Sequence, residues 1–160
     1  MAYDPAVQCF ADEFDRFHTY LLKQIEVCPD HIWQDRTGGH FFWQELLHAF
    51  YCVQLYALPD GARESDFGIG RQAALLRADA PSAMSKAQLR DIAGRMASMA
   101  HEYMGGLDQD RLLLPNAALT RFVGKERTHL AALIGMVRHY TYHLGCCDNA
   151  LRERGIPGVY

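Results

Sequence analysis

Helical spacing of apolar residues is the feature that most restricts the fold of this sequence. In the first segment, Asp4 is a favoured capping residue and Pro5 a favoured first helical residue. The apolar residues that follow are three or four positions apart: Val7, Phe10, Phe14, Phe17 and Leu21. This spacing predicts an amphipathic helix that packs along one side. Pro29 is expected to end it.

The second segment, from His40 to about Leu58, is apolar on nearly every side and follows a turn-prone run at residues 35–39. A helix with so little polar surface should be the most buried one of its fold. A long connection over residues 59–84 comes next, with a short helix predicted around residues 71–77. Simple antiparallel neighbours need only a few connecting residues, so this length indicates a crossover.

Two further helices are predicted in the second half of the chain. The third begins with a capping box formed by Ser85 and Gln88. Residues 112–122 are expected to form an irregular connector around Pro115. The fourth helix is predicted from about Gly124 to about Arg154. Four long helices in 160 residues predict an all-α protein, a four-helix bundle that forms a single domain over residues 1–160.

Composition excludes several classes of function. Basic residues are scattered and the net charge is −3, so no nucleic-acid-binding surface is predicted. The first residues lack the features of a signal peptide, and no apolar stretch approaches the roughly 18 residues of a membrane span. The five cysteines are odd in number and show no CxxC spacing. Reduced thiols in the cytoplasm are therefore expected, with no membrane partner.

A pair of histidines marks the fourth helix. His139 and His143 are four positions apart, so both rings leave the same helix face about one turn apart and could reach one cation. Small residues share this flank: Ala132, Gly135 and Ala150. They could leave a pocket with metal ligands in its wall, or they could allow close approach of a neighbouring helix. The pair could also be surface decoration.

A third histidine, His48, lies in the middle of the most apolar helix. A lone buried histidine is more often a hydrogen-bonded core residue than a metal ligand. Here two further histidines are available on another long helix, and metals in helical bundles are bound by side chains of facing helices. Three neutral imidazoles would leave a fourth position for water or substrate, as in catalytic metal sites.

Two weaker candidates for catalysis are Glu45 and Cys146. Glu45 is three positions before His48 and could accept a hydrogen bond from a ligand, act as a general base, or be an ordinary solvated or helix-paired carboxylate. Cys146 points in nearly the same direction as His139, whereas Cys147 points towards the core. Cys146 could be a small neutral filler, a fourth ligand or a reactive thiol. The remaining histidines are predicted to be surface or capping residues: His18, His31, His40, His101 and His129.

These residues together resemble the DinB-like (DinB/YfiT) superfamily. The resemblance covers nearly the whole chain and is carried by His48, by H-x-x-x-H-x-G at residues 139–145 and by the stretch 151–157, L-R-E-R-G-I-P. It implies a four-helix bundle, often dimeric, with a long crossover between helices 2 and 3. It also implies a divalent metal, zinc or nickel, bound by His48, His139 and His143. Cys146 departs from the family, which often has glutamine there.

The resemblance implies enzymes that use low-molecular-weight thiols as cosubstrates, as S-transferases or isomerases, and also hydrolases. The leading hypothesis is thus a metal-dependent thiol S-transferase or hydrolase that acts on a small electrophilic substrate in a pocket beside Gly135. A homodimer is expected. The alternative is a non-catalytic metal- or ligand-binding bundle, as in a stress response. A bundle whose histidines are purely structural is a third possibility.

Overall fold

The computed structural model describes residues 2–160, except for the side chain of Thr37. The protein is all-α apart from one short hairpin. The α-helices are α1 (Pro5–Val27), α2 (Asp30–Trp33), α3 (Phe42–Tyr51), α4 (Val53–Ala57), α5 (Arg71–Ala74), α6 (Lys86–Gly105), α7 (Ala117–Val123) and α8 (His129–Arg152). A 3₁₀-helix spans Gln109–Arg111, and the antiparallel strands are β1 (Arg36–Thr37) and β2 (His40–Phe41).

The core lies between the longer helices. Helix α1 packs against α6 and α8, and α3 packs against the same two helices. Nine of the ten residues of α3 are buried, and only His48 is partly exposed, which agrees with the burial expected from its composition. The largest fully buried side chains include Trp43, Tyr51 and Tyr140. Within residues 2–160, no helix combines the length and the apolar character needed to cross a membrane.

Local hydrogen bonds explain where α1 and α6 begin. The Asp4 carboxylate accepts a hydrogen bond from the backbone N–H of Ala6, at 2.8 Å, and Pro5 is the first helical residue. At α6, the Ser85 hydroxyl accepts from the N–H of Gln88, and the Gln88 side chain accepts from the N–H of Ser85. Both helix starts that the sequence predicted are confirmed, because each depends on neighbouring residues alone.

The second predicted helix differs from the observed structure at its start and in its middle. His40 and Phe41 are not helical, because they pair with Thr37 and Arg36 in the hairpin. The hairpin turn is made by Gly38 and Gly39, whose positive φ angles of 61° and 100° suit glycine. A turn at Cys52 then divides the predicted helix into α3 and α4. The predicted helix therefore begins two residues later than expected, at Phe42, and is interrupted at Cys52.

The region before α8 also corrects the prediction. The expected irregular connector contains α7, which is capped by the side chain of Asn116 on the N–H of Leu119, at 2.7 Å. Gly124 ends this helix in the left-handed conformation, with φ of 73°. Helix α8 therefore begins only at His129, where the Thr128 hydroxyl accepts from the N–H of Ala131.

The long connection over residues 58–85 is fixed to α3 and α4 by two buried glutamines. Gln54 donates to the carbonyl of Ser65, at 3.0 Å, and accepts from its N–H, at 2.8 Å. Gln44 donates to the carbonyls of Ala73 and Ala78, at 3.0 and 2.8 Å. These bonds hold α5 against α3 and bring the backbone of Ala74 next to His48.

Candidate metal centre

The three histidines singled out from the sequence converge between α3 and α8. One potential ligand nitrogen from each of His48, His139 and His143 lies within 4.8 Å of the other two. The ring centroid of His48 is 5.0 Å from that of His139 and 4.7 Å from that of His143. The rings of His139 and His143 are 4.3 Å apart. Direct packing of α3 on α8 brings the lone histidine to the pair.

Two of these rings are held through their Nδ1 atoms. The Nδ1 of His48 lies 2.9 Å from the carbonyl oxygen of Ala74, and the Nδ1 of His143 lies 2.7 Å from Oε1 of Glu45. Because a carbonyl and a carboxylate only accept hydrogen bonds, each Nδ1 carries the proton. The remaining nitrogen in both rings is Nε2, and that of His48 lies 3.6 Å from Sγ of Cys52. Such hydrogen bonds orient ligand histidines in metal sites.

The third ring contains a polar atom without a partner. Nε2 of His139 is buried, and none of the described residues forms a hydrogen bond with it. A buried nitrogen without a partner costs free energy, on the order of 1–3 kcal/mol. A cation between the three rings would satisfy it. Three imidazole nitrogens suit zinc and nickel, so the residues present fit such an ion.

Burial favours the neutral form of two of the three rings. Burial lowers the pKa of His48 to about 4 and that of His139 to about 2, and the charge of His143 contributes to both shifts. Neutral imidazole is the form that binds metal. Burial raises the pKa of Glu45, but the hydrogen bond from His143 and the nearby histidine charges outweigh it, so the net shift is downward. Glu45 is therefore a carboxylate.

A cavity of about 340 Å³ opens beside the three-histidine cluster. It reaches His143 and Glu45 at its inner end. Its wall combines the C-terminal half of α8 with the hairpin and α5 region: Gly38, His40, Glu45, Leu76, Tyr142, His143, Cys146, Asn149, Ala150 and Glu153. A larger cavity of about 550 Å³ lies between α4, α6, α7 and the start of α8, and none of the three histidines lines it. The smaller cavity is therefore the one next to the candidate site.

The pocket expected beside Gly135 is not where the sequence suggested. A Cβ atom at Gly135 would lie 2.7 Å from Cε1 of Tyr56, so the aromatic ring fills this space. Of the two alternatives for the small residues of α8, close approach of a neighbouring helix is the one observed. Ala150, by contrast, does line the cavity, nearer the C-terminal end of α8.

The structure separates the adjacent cysteines. Cys147 is fully buried in the core, as its helical position predicted. Cys146 is half-buried and lines the cavity, but it is outside the group of ligating atoms within 4.8 Å of one another. Burial and the Glu45 carboxylate raise the pKa of the Cys146 thiol. It is therefore a protonated wall residue, which argues against a reactive thiolate.

Of the alternatives for Glu45, acceptance of a hydrogen bond from a candidate ligand is the one observed. Glu45 is buried and bound to His143, so it is neither a solvated carboxylate nor a free general base. Two histidines of this region were not expected from the sequence. His40, predicted at the surface, lines the cavity. His18 was also predicted at the surface, yet it is 8% exposed and stacks on Phe14 and Tyr140. Its position four residues after Phe14, on the apolar face of α1, is the signal that could have revealed this burial.

Comparisons of the chain with protein-family models, with curated proteins and with solved structures gave no match.

Proposed function

We propose that this protein is a DinB-like four-helix bundle that binds zinc or nickel and acts as a metal-dependent thiol S-transferase on a small electrophilic substrate. The bundle would consist of α1, the α3–α4 pair, α6 and α8, which pack around one hydrophobic cluster. Residues 58–85 would be the long crossover between the second and third bundle helices. The superfamily assignment rests on the sequence resemblance, and the all-α fold agrees with it.

The convergence of His48, His139 and His143 is the observation that carries the proposal. In this arrangement His48 is held by the Ala74 carbonyl and His143 by Glu45, so neither ring needs to turn to present Nε2. His139 contributes the buried Nε2 that has no partner among the described residues. Preorganised neutral ligands reduce the cost of ordering when an ion binds.

A divalent metal at this site would supply Lewis acidity, which lowers the pKa of a thiol or water molecule at its open position. The chain's own groups would bind and orient the substrate in the 340 Å³ cavity. The half-buried position of the cluster limits the access of bulk water. Tyr142 and Asn149 present polar groups in the cavity wall.

The state of Glu45 favours thiol transfer over hydrolysis. Hydrolysis benefits from a free base that removes a proton from water. Glu45 is the carboxylate at the inner end of the cavity, and it already accepts a hydrogen bond from the protonated Nδ1 of His143. A thiol has a reference pKa of about 8.5 and releases its proton far more readily than water does. A low-molecular-weight thiol cosubstrate therefore depends less than water does on a general base at this site.

Elemental analysis of tag-free protein tests the metal site first. Wild type, His143→Ala and the control His31→Ala, which replaces an exposed histidine, would be compared after incubation with Zn²⁺ or Ni²⁺. We expect about one ion per chain in wild type and in the control, and loss of the ion in His143→Ala. Wild-type protein without bound metal would overturn the proposal.

Activity assays then distinguish the reaction classes. Metal-loaded protein should consume a test electrophile, such as 1-chloro-2,4-dinitrobenzene, only when a thiol is present. Thiol-independent cleavage of an ester or amide would replace the transferase with a hydrolase. Metal binding without turnover of either kind would favour the non-catalytic binding protein. The homodimer remains a separate prediction, and light scattering at micromolar concentration would contradict it by giving the mass of one chain.

A further inference from the structure

The carbonyl group that holds His48 becomes available because α5 ends abruptly. In a continued helix, the carbonyl of Ala74 would accept a hydrogen bond from the N–H of Ala78, four positions later. Here the chain turns at Leu76, where φ is 56°. The N–H groups of Leu76 and Arg77 bond to other carbonyls of this segment, at 3.1 and 2.8 Å. Within the described chain no backbone N–H bonds to the Ala74 carbonyl, which instead accepts from Nδ1 of His48.

Gln44 fixes the same segment from the side of α3. It lies one helical turn before His48 and is fully buried. Its amide donates to the carbonyls of Ala73 and Ala78, at 3.0 and 2.8 Å. Because carbonyls only accept hydrogen bonds, both N–H groups of the amide are used, and its orientation follows from its partners. These two attachment points lie on either side of Ala74 in the chain.

Leu76 adopts a backbone conformation that glycine would adopt without strain. A positive φ angle is uncommon in residues with a side chain, and strained positions of this kind cluster at functional sites. The side chain of Leu76 lines the 340 Å³ cavity beside the three histidines. The turn therefore has two local effects, since it frees the Ala74 carbonyl for His48 and brings a leucine side chain to the cavity wall.

We propose that Gln44 and the left-handed turn at Leu76 are positioning elements for the candidate ligand His48. They hold the Ala74 carbonyl in place, so that the ring keeps its proton on Nδ1 and offers Nε2 to a metal ion. The inference rests on the proposed function, in which Nε2 of His48 is a ligand. The hydrogen bond at one ring nitrogen determines which nitrogen is protonated. Without the carbonyl, the proton can occupy Nε2, and this form of the ring cannot bind the ion through Nε2.

A variant and a matched control test the role of Gln44. Gln44→Met keeps a side chain of similar length in the core but removes both hydrogen-bond donors. Gln54→Met is the control, because Gln54 is also buried and its amide holds another part of the same connection, at Ser65. Both substitutions remove hydrogen bonds between this connection and the helices α3 and α4. A general loss of stability should therefore affect both variants, and urea denaturation measures it.

The position of the proton is measured in metal-free protein, with a chelator present, by long-range ¹H–¹⁵N NMR of histidine-labelled samples. We expect the proton of His48 on Nδ1 in wild type and in Gln54→Met. In Gln44→Met, part of the population should carry it on Nε2. His143 is the internal reference, because its Nδ1 is held by Glu45 and not by α5. Its proton should stay on Nδ1 in all three proteins.

The affinity for Zn²⁺, measured by competition with a chromogenic chelator, is the second readout. Gln44→Met should bind Zn²⁺ about tenfold more weakly than wild type, whereas Gln54→Met should bind it equally well. Leu76→Gly should keep both the proton on Nδ1 and the wild-type affinity, because glycine suits the positive φ angle. Leu76→Pro forces φ to about −65° and should therefore resemble Gln44→Met. If Gln44→Met does not fold, the two variants of Leu76 decide by the same measurements.

The two readouts separate failure of this inference from failure of the proposed function. Wild type that binds Zn²⁺, with the same affinity and the same His48 proton position in Gln44→Met, would overturn the inference alone. Equal losses of affinity in Gln44→Met and Gln54→Met would also overturn it, because the effect would then be one of stability. Wild type that binds no Zn²⁺ would overturn the proposed function, and the positioning of a ligand with it, whichever nitrogen of His48 carries the proton.

Discussion

Oε1 of Glu45 lies 2.7 Å from Nδ1 of His143, and the two side chains are only 10% and 4% exposed. Glu45 belongs to α3 and His143 to α8, so the hydrogen bond joins two helices that face each other. It places the proton of His143 on Nδ1 and leaves the lone pair on Nε2, in a ring that is 4.7 Å from that of His48 and 4.3 Å from that of His139. A carboxylate behind a ligand histidine also increases the basicity of the ring.

Removal of this carboxylate should weaken the proposed binding of a metal ion by the three histidines. We expect Glu45→Ala to lower the affinity for Zn²⁺ by about 100-fold and Glu45→Gln by about tenfold, because an amide oxygen can accept the hydrogen bond but carries no charge. Competition with a chromogenic chelator measures both values. Glu126→Ala, at an exposed position, is the control and should bind as wild type does. Equal affinity of Glu45→Ala and wild type would show that the pair does not orient the ligand.

Local chemistry explains which parts of the fold could be predicted. Asp4 and Ser85 cap helices through residues two or three positions away, so short sequence windows contain the whole interaction. Gly124 was predicted to begin the fourth helix, but it ends α7. Glycine occurs at both ends of helices, and only the cap that Asn116 forms at the start of α7 distinguishes the two cases. The hairpin was missed because strands of two residues have no recognisable alternation.

The same distinction between local and distant contacts applies to the candidate site. The i,i+4 spacing of His139 and His143 places both on one face, and this follows from helix geometry alone. The role of Glu45 depends on the register of α3 against α8, which neither helix encodes by itself. His40 enters the cavity wall only because the hairpin folds back. The spacing of residues in the sequence could therefore not predict these contacts between distant elements.

Gly135 should tolerate no side chain, because a Cβ atom there would lie 2.7 Å from the ring of Tyr56. We expect Gly135→Ala to lower the free energy of unfolding by about 1–3 kcal/mol through overpacking. Urea denaturation measures the change.

Gly145 provides the matched control, since it lies in the same helix and a Cβ atom there would meet nothing within 4 Å. Gly145→Ala should raise the free energy of unfolding by about 0.5–1 kcal/mol, because alanine favours the helix. Similar effects of the two substitutions would contradict the close contact at Tyr56.

Asp148 of α8 forms hydrogen bonds both with α1 and with the last two residues of the chain. Its buried carboxylate accepts hydrogen bonds from the Gln24 side chain, at 2.9 Å, and from the backbone N–H groups of Val159 and Tyr160, at 2.9 and 3.1 Å. We expect Asp148→Ala to lower the free energy of unfolding by about 3 kcal/mol, because the buried Gln24 amide and two partly buried backbone N–H groups lose this acceptor. Hydrogen exchange of the Val159 and Tyr160 amides should accelerate in parallel.

Asp91→Ala is the comparison for Asp148→Ala. Asp91 is exposed and pairs with Arg95 one turn along α6, an arrangement that contributes little. Its loss should change the free energy of unfolding by less than about 0.5 kcal/mol. If Val159 and Tyr160 exchange equally fast in wild type and Asp148→Ala, these hydrogen bonds do not hold the chain end.

His18 should make stability depend on pH. Burial, with a smaller contribution from His101, lowers its pKa to about 4, whereas histidine in an unfolded chain titrates near about 6.5. Between these values the unfolded chain binds the extra proton and the folded protein does not. The stabilisation is therefore complete above about pH 6.5 and is lost as the pH falls towards 4. His18 alone should account for about 2 kcal/mol between pH 7 and pH 5.

His18→Phe isolates this contribution, because phenylalanine can keep the stacking on Phe14 and Tyr140 but cannot titrate. Urea denaturation at pH 7 and pH 5, with a chelator present, should show a smaller loss of stability in this variant than in wild type. His48 and His139 titrate in both proteins, so they cancel in the difference. His31→Phe, at an exposed position, should keep the wild-type pH dependence. If His18→Phe loses as much stability as wild type does, then His18 is already protonated in the folded protein at pH 5, and its burial does not exclude the charge.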